Sequence, residues 1–339
     1  MRVSKEAGNL KRVHAAVAAM LPGRYLLAVS GGRDSMVLLD ACAAVRTDIV
    51  GVATYDHGTG EAATRAAALV VAVSTRRGLR PLARHAHDSR NGTVGVRTAE
   101  KESAVARERG ARGTEASWRA ERWAFLHSAA ADLGARVVTA HSRDDQVETV
   151  FMRIMRDAGA RGLAAMYAPS MVARPLLGVS RNDIGAYANA RTLKWIEDPS
   201  NARRAHLRNR VRLELLPAIA RVRADFEADL LDLSAGAAEW RRRVAVLVDG
   251  LVGVGMSPDT VVVPVTALEG LGPDELSVVL PEIAARAGIT LDWRGVDRMA
   301  RELMSLRPAA SIPLSGGGTV NRTVSSFVFR NPTGDSRLY

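Results

Sequence analysis

Residues 25–41 read YLLAVSGGRDSMVLLDA: an apolar run enters two glycines, meets a charged pair, and continues at once as a second apolar run. Tyr25 to Ser30 is short, apolar and closed by glycine, the pattern of a strand buried on both faces of a parallel sheet. Met36, Val37, Leu38, Leu39 and Cys42 recur at helical spacing, and Asp34 or Ser35 is placed to cap that helix. Gly31 and Gly32 allow a sharp turn and leave bare amides facing outward. Strand, glycine turn and helix start together predict an anion site, because unpaired N–H groups and the helix dipole point the same way. Phosphate is the expected guest.

No Gly-Lys-Ser/Thr follows the glycines, so the turn is not a Walker A loop, and it lacks the spaced glycines of dinucleotide-binding folds. Ser30-Gly31-Gly32-Arg33-Asp34-Ser35 resembles the S-G-G-x-D-S loop of the N-type ATP pyrophosphatases. Members of that superfamily cleave ATP between its α and β phosphates and adenylylate a carbonyl-type oxygen. The plainer reading is a glycine turn with an incidental Ser and Asp, which the flanking strand and helix make less economical.

The chain has 339 residues, 47% of them hydrophobic, enough for two domains with full cores. No signal peptide is visible, and no apolar run approaches the roughly 18 residues that a membrane-spanning helix needs. Cys42 is the only cysteine, which excludes disulfides within the chain and Cys-cluster metal sites. The expected setting is cytoplasmic, without a membrane.

Net charge is +11 and unevenly spread. Residues 76–122 carry twelve basic and six acidic side chains, and residues 203–223 carry seven and one. Residues 249–339 carry eight basic and ten acidic. An arginine-biased genome would raise the total but would not empty the last third of its excess. A polyanion, expected to be nucleic acid, is therefore placed on the first two-thirds.

Along the chain, strands are expected at 25–30, 48–55, 81–85, 136–140 and 171–177, with helices at 62–77, 114–133 and 144–156. Residues 88–113 are polar, glycine-bearing and charge-mixed, and read as a mobile surface insertion. Strands alternating with helices predict an α/β fold, a doubly wound and mostly parallel sheet of Rossmann-like type, with its site at the C-terminal ends of the strands. Ser180 starts a further helix, with Asp183 placed to return a bond to its amide. Residues 205–248 read as largely helical, and the last 90 or so residues mix helices at 273–287 and 293–305 with short strands near Ile312 and Phe327. The expected division is a catalytic domain over 1–217 and a helical linker with a small mixed α/β C-terminal domain over 218–339.

Four further clusters carry polar chemistry. YDHG (55–58) closes the second strand. In residues 113–126, Glu115, Arg119 and Arg122 fall on one helical stripe. In residues 139–156 a strand ends in His141, and Asp145 and Glu148 follow three apart on one helix face. Two adjacent carboxylates at a sheet's carboxyl edge can hold Mg²⁺ against nucleotide phosphates; the alternative is a solvated acidic turn that favours the helix dipole. In residues 197–217, Arg208, Arg210 and Arg212 lie beside Asn209, and a solvated basic helix face is the commoner fate of such a run.

Taken in order over residues 22–217, SGGRDS, DHG, the E-x-x-x-R-x-x-R helix, HSRDDQVET, DAGARGLAAM, RPLLGVSRNDI and EDPSN…RNRVR…LLP are similar to the tRNA(Ile)-lysidine synthetase family. SIPLSGGGTVNRT near the end resembles a pattern in that family's C-terminal substrate-binding domain. Two departures stand out. The family usually continues Asp-His-Gly with Leu-Arg, where this chain has Thr59-Gly60, and the 88–113 insertion is longer than usual.

The resemblance implies a PP-loop ligase that adenylylates the wobble cytidine of an isoleucine tRNA and then attaches L-lysine, releasing AMP and pyrophosphate. ATP and Mg²⁺ are the implied cofactors, and tRNA(Ile) and lysine the partners; the resemblance also admits a homodimer. It implies that Ser30, Gly31, Gly32, Arg33, Asp34 and Ser35 bind ATP, with His57 and His141 beside them unless these are structural strand-end histidines. Asp34, Asp145, Glu148 and Arg119 become the catalytic group, Asp34 and Asp145 the Mg²⁺ ligands. Arg122, Arg208, Arg210 and Arg212 become contacts to phosphate or tRNA. Three rivals differ in what they require. A tRNA thiolase of this superfamily needs cysteines, a small-molecule amidating synthetase does not need the 203–223 basic run, and a non-enzymatic RNA-binding module leaves the glycine loop unexplained.

Overall fold

The computed structural model describes residues 2–86, 115–197, 206–252, 259–314 and 317–331. The expected insertion at 88–113 and residues 198–205 of the fourth cluster lie outside these. The chain divides into two compact units, the first built from Met1–Arg156 and Met171–Leu231, the second from Asp157–Ser170 and Asp232–Tyr339.

In the first unit, helix α1 (Arg2–Ala18) precedes strand β1 (Tyr25–Ala28), α2 (Arg33–Val45), β2 (Ile49–Asp56), α3 (Glu61–Arg76) and β3 (Pro81–His85). Then come α4 (Glu115–Asp132), β4 (Arg136–Val138) and α5 (Arg143–Ile154). The strands pair in parallel in the order β3-β2-β1-β4. Strand order therefore reverses between β1 and β4, and a doubly wound sheet opens a crevice at that switch point. The SGGRDS turn leaves β1 there. Leu26 and Leu27 on β1 are fully buried, as are Val37, Leu38 and Leu39 on α2. This is why these stretches read as continuous apolar runs: both faces of β1 are covered.

The strand expected at 171–177 is not formed. Ala173 alone pairs with β4, through a single parallel bridge to Val138, and a 3₁₀ turn (Pro175–Gly178) follows. Pro175 explains the stop, since it has no N–H to donate to a further ladder bond. The single bridge still serves to place Arg174 level with the end of β4.

Helix α6 (Ala160–Leu163) belongs to the second unit, and α7 (Arg181–Ala190) returns to the first. There the basic run forms α8 (Leu207–Arg210), a π-helical turn (Val211–Leu215) and α9 (Leu216–Val222). Pro217 cannot supply the next amide of an α-helical ladder, and the widened turn lies directly before it.

Helix α10 (Phe226–Leu251) leads to β5 (Thr260–Pro264), α11 (Val265–Leu268), α12 (Pro273–Arg286) and α13 (Trp293–Glu302). Strands β6 (Ser311–Pro313), β7 (Thr319–Arg322) and β8 (Ser326–Arg330) complete an antiparallel sheet ordered β5-β8-β7-β6. Burial alternates along β5 and β8, with Val261, Val263, Phe327 and Phe329 directed into a core shared with Leu280 and Ile283 of α12 and Met299 of α13. A half-buried antiparallel sheet under helices on one face has this signature.

Candidate active site

The glycine turn is built for close approach. Gly31 adopts φ +82°, and a Cβ there would lie 2.8 Å from both the Cβ and the carbonyl oxygen of Ala66 on α3. Its own carbonyl accepts the Ile196 amide at 3.0 Å, tying the 193–197 segment across the loop. Gly32 is the N-cap of α2, with no side chain capping the helix. Neither Asp34 nor Ser35 caps it, contrary to expectation: both already lie in the first turn, and Ser35 donates its hydroxyl back to the Gly32 carbonyl at 2.8 Å. The first amides of α2 are therefore left for something else. Ser30 and Ser35 hydroxyl oxygens stand 3.3 Å apart at the mouth of the turn.

Asp34 accepts a bond from Arg33 Nε at 3.1 Å, and its other oxygen lies 3.9 Å from Arg181 Nε. Burial pushes its carboxyl above the ordinary aspartate value, and the charges of Arg33 and Arg181 only partly counter this. An acid in that state gains from an added cation.

Helix α5 starts on a full capping box. The Ser142 hydroxyl accepts the Asp145 amide, and Asp145 Oδ2 accepts the Ser142 amide at 2.9 Å. The cap fixes the Asp145 carboxylate and leaves Oδ1 facing the crevice. Oδ1 takes Arg181 at 3.0 Å and Arg208 at 3.1 Å. One helical turn on, Glu148 is 1% exposed and accepts from three guanidiniums: Arg181 at 3.1 Å, Arg208 at 2.8 Å and Arg212 at 2.6 and 3.0 Å. Burial opposes ionisation of both acids. Even so, the Ser142 bond with Arg181 and Arg208 holds Asp145 below its usual range, and the Arg212 bond with Arg208 and Arg181 does the same for Glu148.

Sequence spacing had gathered Asp34, Asp145 and Glu148 at the strand ends, and Arg181 touches all three. Arg208, Arg210 and Arg212, expected to contact phosphate or tRNA, do not share one solvated basic face. Arg208 and Arg212, four apart, turn inward onto Glu148, whereas Arg210 points away and pairs with Glu214 at 3.8 Å. Arg181 was not singled out as a site residue. Its signal was present, an arginine directly after the Ser180 cap inside RPLLGVSRNDI. Its position is fixed by its own amide donating to Asp144 at 2.8 Å and by Arg143 N donating to Val179 O at 3.0 Å. Asp183 takes the Ser180 hydroxyl and Arg12 rather than the Ser180 amide.

No group of three or more His, Cys, Asp or Glu side chains placed to hold a metal occurs among the described residues. Mg²⁺ commonly uses one or two carboxylates and completes its shell with water and phosphate. Asp34 fits that role, with 24% of its side chain open and its charge undercompensated. Asp145 fits poorly, because both of its oxygens are committed to Ser142 and to guanidiniums.

His57 closes β2 against Tyr55 (centroids 4.7 Å apart) and Trp118 (6.2 Å), with Nδ1 buried and without a partner among the described residues. Tyr55 also donates to Glu121 at 2.9 Å, so the first half of α4 lies over the end of β2 and brings Arg119 and Arg122 to the same edge. The Glu115 side chain lies outside the described residues. Asp56 secures the turn after β2, accepting from Gly58 N and from Thr64 Oγ1, each at 2.8 Å.

His141 Nδ1 lies 2.8 Å from Thr139 Oγ1, and burial, reinforced by Arg174, Arg208 and Arg119 against Asp145, lowers its pKa to about 4. Its ordinary value is 6.5. Between the two, the unfolded chain binds a proton that the folded chain refuses, so stability rises with pH across that window and is complete above it. His141→Gln should flatten this acid limb by roughly 1–3 kcal/mol, read as the difference in urea midpoint between pH 4.5 and 7.

A family profile described as a PP-loop domain matches residues 8–219. The tRNA(Ile)-lysidine synthase of Salinispora arenicola is 33% identical over 328 residues, covering 91% of this chain and 91% of the relative. The enzyme of the same name from Salinispora tropica is 37% identical over 217 residues (61% of this chain, 60% of the relative). That of Xanthomonas campestris pv. campestris is 39% identical over 228 residues (65% and 48%). Among solved structures, a U34-tRNA thiolase from Methanococcus maripaludis superposes with a TM-score of 0.50 at 14% identity, covering 69% of this chain and 78% of that one, a likeness of fold alone. With a PP-loop profile over more than half its length and a relative matched nearly end to end, the chain belongs to the tRNA(Ile)-lysidine synthase family of PP-loop proteins.

Proposed function

We propose that the protein is an ATP-dependent tRNA(Ile)-lysidine synthase acting on the wobble cytidine of an isoleucine tRNA in the cytoplasm. The observation that carries this is the convergence of the uncapped SGGRDS turn with Arg181, Arg208 and Arg212 at the switch point of the sheet. Glycine amides facing a crevice suit the β- and γ-phosphates, and guanidiniums a turn away suit the α-phosphate.

In the first step O2 of the cytosine forms a bond to the α-phosphorus as the Pα–O–Pβ bond breaks, and pyrophosphate leaves into the Ser30–Ser35 turn. In the second, a lysine amine forms a bond to C2 as the C2–O bond breaks, AMP leaves, and the ammonium proton is lost. Asp34 would hold Mg²⁺ against the polyphosphate, where it would neutralise charge. Asp145 and Glu148 fix the three arginines in register with the crevice. Once those arginines engage phosphate, the same carboxylates become free to take up the lysine ammonium and its proton. Arg119 and Arg122 offset charge from α4, and the outward Arg210 is left for the tRNA backbone.

Incubation with ATP, radiolabelled lysine and an isoleucine tRNA transcript bearing a wobble cytidine should move label into RNA, with one pyrophosphate released per lysine. ATP turnover independent of RNA would instead indicate a small-molecule synthetase. Asp34→Ala should abolish pyrophosphate release and leave tRNA affinity within about twofold, since surface charge elsewhere supplies most of that binding; normal turnover in this variant would remove the phosphate role of the turn.

A further inference from the structure

Arg174 stands outside the carboxylate cage. Its predecessor Ala173 is locked to β4, accepting Thr139 N at 3.0 Å and donating to Val137 O at 2.8 Å. That fixes Arg174 at the sheet's carboxyl edge, abreast of Thr139 and His141, and Pro175 restrains the backbone behind it. The side chain is partly buried, and its Nε is enclosed without a hydrogen-bond partner among the described residues. Arg122 Nε, on α4, is in the same condition. Arg119 lies within electrostatic reach of both and makes each harder to keep charged, adding to the cost of burial. No described carboxylate pairs with any of the three, in contrast to Arg181, Arg208 and Arg212 nearby.

A buried donor left unmatched is destabilising, and clustered like charges add to that cost. His141 offers no relief as an anion and, being neutral at working pH, adds no further cation. What such a group lacks is an oxyanion with several acceptor oxygens, which a guanidinium fork meets two at a time.

We propose that Arg174 joins Arg119 and Arg122 in a substrate oxyanion site beside His141, separate from the arginines matched by Asp145 and Glu148. The inference rests on the proposed function, whose substrates bring that chemistry from three sources: the α-carboxylate of lysine, the α-phosphate of ATP, and a backbone phosphate of the tRNA.

The test measures the KM for lysine and for ATP and the Kd for tRNA in Arg174→Gln, after a thermal melt has shown the variant folded. One of the three constants should rise about tenfold or more, with Arg174→Lys restoring part of it. A rise for lysine, together with lost preference for lysine over cadaverine (the same chain without the carboxylate), identifies the amino acid as the source. A rise for tRNA with a salt slope shallower by about one identifies a backbone phosphate, and a rise for ATP alone identifies the α-phosphate. All three constants unchanged in folded Arg174→Gln, or a fall in kcat alone, overturns the proposal. Should glutamine prevent folding, the same constants are read on Arg174→Lys, where a wild-type set equally overturns it. Absence of label transfer by the wild-type protein would instead sink the proposed function, so the two failures are distinguishable.

Discussion

Glu148→Gln is expected to destabilise the first unit by about 3–5 kcal/mol and to abolish turnover, the larger part of the stability loss coming from what it leaves behind. Glu148 is the most enclosed acid of the site, and its two oxygens serve Arg181, Arg208 and Arg212. An amide of the same shape keeps the packing but gives one acceptor in place of two charged ones, and its NH₂ faces guanidinium donors. Asp145 cannot take up the excess, being already committed to Ser142, Arg181 and Arg208. A unit of this size would melt roughly 10 °C lower. The double variant Glu148→Gln with Arg212→Gln separates stability from function. Removing the opposing cation should recover about half of the lost stability, since deleting both partners of a buried pair costs far less than deleting one. Turnover should stay absent, because neither carboxylate nor arginine is restored. If Glu148→Gln melts like wild type, the cage is not the electrostatic keystone drawn from its geometry. If the double variant regains lysine transfer, the carboxylate has no part in the chemistry.

The same cage marks where sequence reading reaches its limit. SGGRDS was legible because its chemistry is local: a strand, two glycines and a helix start follow one another within a dozen residues, and β1, β2, β3 and α2 fall where periodicity put them. Asp145 and Glu148 were legible as a pair because a helix fixes their spacing. Their partners were not, because Arg181 and Arg208 reach Glu148 across 33 and 60 residues of chain, and periodicity carries no information about such contacts. Arg208, Arg210 and Arg212 look alike in sequence, and only the packing of α8 and the turn after it sends two inward and one outward. The missing strand at 171–177 is a different failure. Hydrophobicity argued for extension there, and Pro175 ended the ladder after one bridge. Strand β5 was missed as well, its short TVVVP run overshadowed by the neighbouring glycines.

Gly31→Ala is expected to remove ATP turnover almost completely and to cost roughly 2–5 kcal/mol of stability, from two separable causes. At φ +82° a residue with a Cβ pays about 1–2 kcal/mol for the left-handed backbone whatever surrounds it. The added methyl also lands 2.8 Å from both Ala66 Cβ and the Ala66 carbonyl, so α3 or the loop must move, an overpacking cost of about 1–3 kcal/mol. Moving the loop also strains the bond from Ile196 N to Gly31 O. Adding Ala66→Gly removes the side-chain contact but neither the carbonyl contact nor the φ penalty, so stability should return in part while turnover does not. Gly32→Ala is the control. Gly32 has φ −76° and ψ 162°, allowed to any residue, and its Cβ would meet nothing nearer than Ser30 Oγ at 3.6 Å. That variant should fold within about 0.5 kcal/mol of wild type, yet it raises the KM for ATP if the backbone at the start of α2 is the surface on which phosphate rests. Equal turnover in Gly32→Ala and wild type would move the phosphate off those amides, and equal losses of stability in the two variants would deny that Gly31 is there for its conformation.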